Sequence, residues 1–107
     1  MSTRKTALVI AEALAINGCR VTYMCPSVAQ TEEAAAAYRD HCSNWLMIPS
    51  DLIHFVSCMD TGCAMLHTPV LILEDSHRMN HRCWKEAKLI ATPEDHWQPA
   101  IIEVTSS

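Results

Sequence analysis

Residues 70–77 read Val70-Leu71-Ile72-Leu73-Glu74-Asp75-Ser76-His77, and this stretch decides the fold of the chain. A short continuous apolar run, here introduced by Pro69, is typical of a strand buried on both faces. Two adjacent carboxylates end the run, at the edge where open α/β sheets place their ligands. The same acids could instead cap the next helix or stay solvated, so the rest of the chain has to decide their role.

Composition limits the classes of protein that the chain can represent. Its 107 residues predict one domain, spanning 1–107, and 50% hydrophobic with only 19% charged residues excludes a disordered chain. The net charge of -4 argues against a general nucleic-acid binder, so we expect direct nucleic-acid binding to be weak. No apolar run approaches the roughly 20 residues of a membrane span, and no secretory signal is recognisable. We therefore predict a cytoplasmic protein without a membrane partner.

The six cysteines are predicted to be reduced. A short chain with this many cysteines could be a disulfide scaffold, but its apolar core needs no covalent staples. Cys25, Cys42 and Cys58 also fall within predicted strands or helices, where small buried thiols are ordinary.

Hydrophobic periodicity and capping signals predict an alternating α/β chain. Helices are expected over about 4–17, from a Ser27–Gln30 capping box to about residue 42, and over 79–91, with Ser2 or Thr3 capping the first helix and Gly18 ending it. Strands are expected over 19–25, 52–58, 70–74 and 100–105, with a turn at 60–62 and a helical turn at 63–67. This order implies parallel pairing, so we predict a three-layer α/β sandwich around a mainly parallel sheet of about four strands.

Four stretches, in chain order, resemble motifs of one enzyme family. Arg4-Lys5-Thr6 is similar to the end of the phosphate-binding motif Gly-Lys-Thr, and residues 21–27, followed by Gln30, resemble the strand ending in Pro-Thr. Glu74-Asp75-Ser76-His77 resembles Asp-Glu-x-His with the acids exchanged, and residues 101–107 resemble the strand ending in Ser-Ala-Thr. The chain thus resembles the first RecA-like domain of superfamily 2 helicases and DNA-dependent ATPases.

The resemblance implies a P-loop NTPase core and roles for particular residues. Lys5 and Thr6 would form a residual phosphate site, and Asp75 would hold magnesium. If the domain were active, Glu74, Asp75 and His77 would be the catalytic residues.

The departures from the family pattern point away from catalysis. No strand or glycine-rich loop precedes the first helix, and Arg4 stands where the last glycine would be, so its side chain would crowd the phosphate path. A second RecA-like domain, which supplies an arginine in the family, is also missing. We predict a degenerate, non-catalytic domain without a cofactor that binds or inhibits a partner. A minimal nucleotide-binding ATPase is the alternative.

A second alternative is a small zinc-dependent nucleic-acid binder. Cys58, Cys63, His77 and His81 have a spacing close to that of a zinc finger. The buried strand between the two pairs of ligands argues against this interpretation, so zinc is not the expected cofactor.

Partner binding is assigned to the predicted third helix. Arg78, Arg82 and Lys85 recur at helical spacing with Trp84 among them, which fits a docking surface for a protein or nucleoprotein complex. A solvated helix face would give the same pattern.

The first helix supplies the argument for self-association. It has almost no polar face, and the missing first strand is expected to remove the centre of the family's sheet, so we predict apolar surface that a partner or a second copy covers. Small size and degenerate motifs fit an inhibitor of phage or mobile-element origin, for example an anti-CRISPR protein.

Overall fold

The computed structural model describes residues 3–49, 51–58, 69–79 and 100–106. Helices α1 (Arg4–Ile16) and α2 (Val28–His41) and strands β1 (Val21–Cys25), β2 (Ile53–Ser57), β3 (Val70–Glu74) and β4 (Ala100–Val104) are joined by short 3₁₀ turns at Trp45–Met47 and Ser76–Arg78. In this part of the chain the strands form one all-parallel sheet in the order β2-β1-β3-β4. The predicted α/β class and parallel sheet are confirmed.

The centre of the sheet is continuous. Strands β1 and β3 are hydrogen-bonded neighbours, with Val21 opposite Val70 and Met24 opposite Leu73. Every residue of both strands is buried, as the apolar run of β3 predicted. In the described part of the chain, β1 and β3 thus form the centre of the sheet by pairing directly, and the loss of the family's first strand stays a prediction.

Helix α1 is ended by its glycine but is not capped as predicted. Gly18 has φ +82°, its N–H donates to Ala15 O, and the N–H of Cys19 donates to Leu14 O, which together form a Schellman motif. Thr3 occupies the N-cap position without a side-chain cap. Its hydroxyl instead accepts the N–H of Thr105 at 2.7 Å. Thus Thr3 joins the start of α1 to the end of β4.

Helix α2 begins with half of the predicted capping box. The hydroxyl of Ser27 accepts the N–H of Gln30 at 3.2 Å. The side chain of Gln30 does not return to the Ser27 backbone but donates to Glu74 and Asp75. In a capping box the Gln30 Oε1 would accept the N–H of Ser27, but here this oxygen accepts a hydrogen bond from Arg78 Nη1 at 3.2 Å.

Both helices pack on one face of the sheet. They contact each other and share one apolar core with the strands, including Leu8 of α1, Tyr38 of α2, and Tyr23 and Ile72 of the sheet. On the opposite face, Leu71 and Leu73 are also fully buried. The predicted helix at 79–91 lies outside the described residues except for Met79, as do the turn at 60–62 and the helical turn at 63–67, so the third layer stays a prediction.

Candidate functional site

Four elements converge at the carboxyl edge of the sheet. Strands β1 and β3 end there at Cys25 and Glu74, and α1 and α2 begin there with Arg4 and, in the first turn of α2, Gln30. Parallel strands all end at one edge, and a helix that follows such a strand starts at the same edge. We call the group formed there the acid cluster; its members are Glu74, Asp75, Arg4, Tyr23, Cys25, Gln30 and Ser106.

Glu74 is the centre of the acid cluster and has no solvent exposure. Arg4 binds it in a bidentate manner, with Nε 2.5 Å from Oε1 and Nη2 2.7 Å from Oε2. The Tyr23 hydroxyl donates to Oε1 at 2.8 Å and the Gln30 amide to Oε2 at 2.7 Å. Burial alone would raise the pKa of Glu74, but the hydrogen bonds from Arg4, Gln30 and Tyr23 outweigh it and hold that pKa below its usual value. Glu74 is therefore a buried, paired carboxylate.

The carboxylate of Asp75 accepts hydrogen bonds from Ser106 and from Gln30. Its Oδ1 accepts the N–H of Ser106 at 3.0 Å, and its Oδ2 accepts the Ser106 hydroxyl at 2.5 Å and the Gln30 amide at 2.7 Å. Its backbone adopts the left-handed conformation, φ 52°, while its N–H donates to Val104 O. Burial favours a raised pKa, but the bonds from Ser106 and Gln30 hold the pKa of Asp75 below its usual value.

Tyr23 and Cys25 serve the cluster as neutral donors. Burial raises the pKa of Tyr23, and the hydrogen bond to Glu74 raises it further. Burial and the charge of Glu74 likewise raise the pKa of Cys25, whose Sγ lies 3.5 Å from Glu74 Oε2. Neither group ionises at neutral pH, so Cys25 lacks the thiolate character that a nucleophile requires.

The acid cluster does not fit a magnesium–nucleotide site. All four carboxylate oxygens of Glu74 and Asp75 already accept hydrogen bonds from protein groups. The guanidinium of Arg4, a fixed cation, lies against both oxygens of Glu74, where a metal ion would have to bind. A magnesium ion would have to displace Arg4 to bind Glu74, and at Asp75 it would compete with Ser106 and Gln30 for the carboxylate oxygens.

Within the described residues, Lys5, Thr6 and His77, which the sequence assigns to phosphate binding and catalysis, make no hydrogen bond to the two acids. Lys5 and Thr6 are exposed on the first turn of α1, and in the described part of the chain neither bonds to Glu74 or Asp75. His77 is exposed in the 3₁₀ turn. Of the residues predicted for metal binding and catalysis, Glu74 and Asp75 thus lie in the acid cluster, and the charge of His77 helps to lower the pKa of Asp75.

The predicted partner-binding residues are described only in part. Arg78 is exposed, and its Nη1 donates to Gln30 Oε1 at 3.2 Å and lies 3.9 Å from Asp75 Oδ2. Arg82, Trp84 and Lys85 lie outside the described residues. Arg78 thus belongs to the rim of the acid cluster, and the remainder of this surface stays a prediction.

The zinc hypothesis is tested only at two of its four ligands. Cys58 is buried, with its thiol donating to Pro26 O at 3.5 Å, and His77 is exposed. Cys63 and His81 lie outside the described ranges. Within those ranges, no three His, Cys, Asp or Glu side chains are grouped to hold a metal. Cys19, Cys25 and Cys42 are free thiols, and the reduced state of all six cysteines stays a prediction.

A second feature is an exposed apolar surface around the turn at Trp45–Met47. Leu46 is 77% exposed and Met47 84%, and Ile16, at the end of α1, is 54% exposed. A groove of about 260 Å³ is lined by residues that include Ile16, Met47, Ile48 and Pro49. We call Ile16, Leu46 and Met47 the apolar turn surface. The predicted apolar face of α1 is confirmed in part, since Val9 and Ile10 are also exposed while Leu8 is buried.

Comparisons with protein-family models and with curated proteins found no match for this chain. The helicase-like ancestry therefore stays a prediction from the four motifs. Within the described residues, neither α1 nor α2 nor any other helix has the length and hydrophobicity needed to cross a membrane.

Proposed function

We propose that this chain is a non-catalytic binding protein, built on a degenerate RecA-like domain, that acts by occupying the surface of a partner protein. The observation that carries the proposal is the closure of the acid cluster. In an active NTPase the carboxylates at this edge must be available to a metal ion. Here Arg4, Gln30 and Ser106 use the oxygens of Glu74 and Asp75, so these acids hold the fold together.

Arg4 has the central part in this argument. It stands where the family has a glycine, and its side chain reaches from the start of α1 to Glu74, 70 residues further along the chain. An arginine in place of this glycine would therefore fill the space expected for a phosphate, and its guanidinium engages both carboxylate oxygens of Glu74. Restoring a nucleotide site would require more than one substitution, because Gln30 and Ser106 also engage Asp75.

The apolar turn surface supports binding to another protein. Leu46 and Met47 are adjacent and largely exposed apolar side chains, and Ile16 lines the same groove as Met47. Contiguous exposed apolar residues mark interaction sites in soluble proteins. An inhibitory role against a phage-defence complex stays a prediction, since it rests on size and motif degeneration alone.

The binding function is tested with matched surface variants. Tagged wild-type protein, Met47→Asp and the control Val28→Asp are used as bait in extracts of the source cells, with cross-linking and mass spectrometry. Val28 is a suitable control because it is 54% exposed and apolar but lies at the start of α2, outside the apolar turn surface. We expect Met47→Asp to lose a partner that Val28→Asp retains. Equal capture by all three baits would contradict a role for this surface.

Catalysis is tested in parallel with purified protein. ATP hydrolysis by the wild type is expected to equal that of Asp75→Asn, at the background rate. Turnover that is magnesium-dependent and lost in Asp75→Asn would instead establish the minimal ATPase.

A further inference from the structure

A second cavity lies between α2, strand β2 and the segment 45–49, away from the acid cluster. Its volume is about 320 Å³. That volume is at the lower end of the range for pockets that hold small molecules. Its walls are formed by Ala35, Tyr38, Arg39, Trp45, Leu46, Ile48, Pro49, Ile53 and Phe55.

Aromatic rings give the cavity a rigid wall. The rings of Tyr38 and Phe55 are 5.5 Å apart, and Phe55 in turn packs on the fully buried Tyr23, with ring centroids 5.4 Å apart. Ala35, one turn before Arg39 on α2, leaves space where a larger side chain would fill the cavity. These contacts anchor the wall to the core, so the cavity is pre-formed for an apolar ligand.

Among the described residues that line this cavity, Arg39 is the one cation, and the other side chains are apolar or aromatic. The guanidinium of Arg39 lies 5.9 Å from the centre of the Trp45 ring. In the described part of the chain, Arg39 makes no ion pair with a carboxylate. The positions three and four residues away along the chain are Ala35, Ala36, Cys42 and Ser43, so helical spacing supplies no acid either. Arg39 is thus available to an anionic group bound beside the rings.

We propose that this cavity binds a small apolar carboxylate. The apolar body of the ligand packs against Tyr38, Trp45 and Phe55, and its carboxylate pairs with the guanidinium of Arg39, which offers two parallel donors to a carboxylate. The mixture of an apolar wall and one polar anchor is the usual design of small-molecule sites. The cavity shares Leu46 with the apolar turn surface, but Met47 and Ile16 do not line it, so substitutions at Met47 separate the inference from the proposed partner binding.

The test uses 4-phenylbutyrate and its uncharged amide as probes, titrated into ¹⁵N-labelled protein and followed by NMR. A probe of about a dozen heavy atoms should bind with a dissociation constant on the order of 1 mM. An exposed ion pair should make the acid bind about two- to fivefold more tightly than the amide. The largest shifts are expected at the amides of Ala35, Arg39, Trp45 and Phe55.

Three variants separate the contributions. Arg39→Gln should bind acid and amide equally, whereas the control Arg20→Gln, an exposed arginine outside the cavity wall, should keep the preference for the acid. Ala35→Leu should stay folded, because it fills the cavity, and should bind neither probe. Met47→Asp should bind both probes as the wild type does, so the cavity and the partner surface are judged separately. Equal binding of acid and amide by the wild type, or unchanged binding in Ala35→Leu, would overturn the proposal.

Discussion

The ion pair between Arg4 and Glu74 should be the most costly polar contact to break. Arg4→Met removes the guanidinium while keeping much of the apolar stem, and leaves the Glu74 carboxylate buried. The Arg4 side chain is 17% exposed and that of Glu74 is not exposed at all. Removing one member of a buried pair costs about 3–5 kcal/mol. Tyr23 and Gln30 continue to donate to Glu74, so we expect the lower end, about 3 kcal/mol.

Urea unfolding at neutral pH, followed by circular dichroism, measures this loss. With a slope of about 1–3 kcal/mol per molar urea, the midpoint should fall by about 1–3 M. Arg78→Met is the matched control, because its side chain is 60% exposed and its Nη1 lies 3.9 Å from Asp75 Oδ2. An exposed pair of that kind contributes less than about 1 kcal/mol.

The double variant Arg4→Met with Glu74→Gln completes the cycle. Glutamine carries no charge that needs Arg4, so Arg4→Met should cost about 1 kcal/mol or less in that background. If Arg4→Met costs no more than Arg78→Met in the wild-type background, Arg4 and Glu74 are not a buried pair, and the closed acid cluster is refuted.

Three further predictions concern the acid cluster and the end of α1. The pKa of Glu74 is held below its ordinary value of 4.5, so the stability that its charged form contributes is complete above pH 4.5 and is lost as the pH falls through the folded-state pKa. The melting temperature of Glu74→Gln should therefore depend less on pH in that range than the melting temperature of the wild type. Parallel pH profiles of the two proteins would contradict this. Gly18→Ala should lower the free energy of unfolding, measured in urea, by about 1 kcal/mol, because φ at this position is +82° and strains a residue that has a Cβ. The added Cβ meets no atom within 4 Å, so no steric clash adds to this cost. An unchanged urea midpoint would exclude the left-handed end of the helix. Burial and the charge of Glu74 raise the pKa of the Cys25 thiol. In the native protein, Cys25 should therefore react with iodoacetamide far more slowly than the partly exposed Cys19, as mapped by mass spectrometry. Similar reaction rates of the two thiols would show that the acid cluster is open to solvent.

Local patterns predicted the elements of the fold well. Four consecutive large apolar residues, 70–73, favour a strand that is buried on both faces, and β3 is such a strand with the predicted limits, Val70–Glu74. Gly18 ends α1 because a left-handed residue is needed there. Local patterns predict the ends of the elements less accurately. The strand predicted over 19–25 begins at Val21, and Thr3 bonds to Thr105 rather than capping α1.

The site could be predicted only in part, because its contacts are long-range. The sequence indicated the two acids and the obstructing Arg4, but the direction in which the acids point depends on register. Alternation along β3 places Glu74 on the same face as Ile72, toward the helices, where Arg4 and Tyr23 meet it. Those partners lie 70 and 51 residues away in the chain. The sequence predicts Gln30 as part of a helix cap, whereas its side-chain amide donates to the carboxylates of the acid cluster. No local pattern in the sequence distinguishes a capping role from a role in the cluster.

Isothermal titration of magnesium–ATP into the wild-type protein tests the central claim most directly. The carboxylate oxygens of Glu74 and Asp75 are engaged by protein donors, so binding should be weaker than about 1 mM, with the same weak signal in Asp75→Ala. Micromolar, magnesium-dependent affinity that disappears in Asp75→Ala would contradict the account, because it would show that the acid cluster opens to a metal–nucleotide complex.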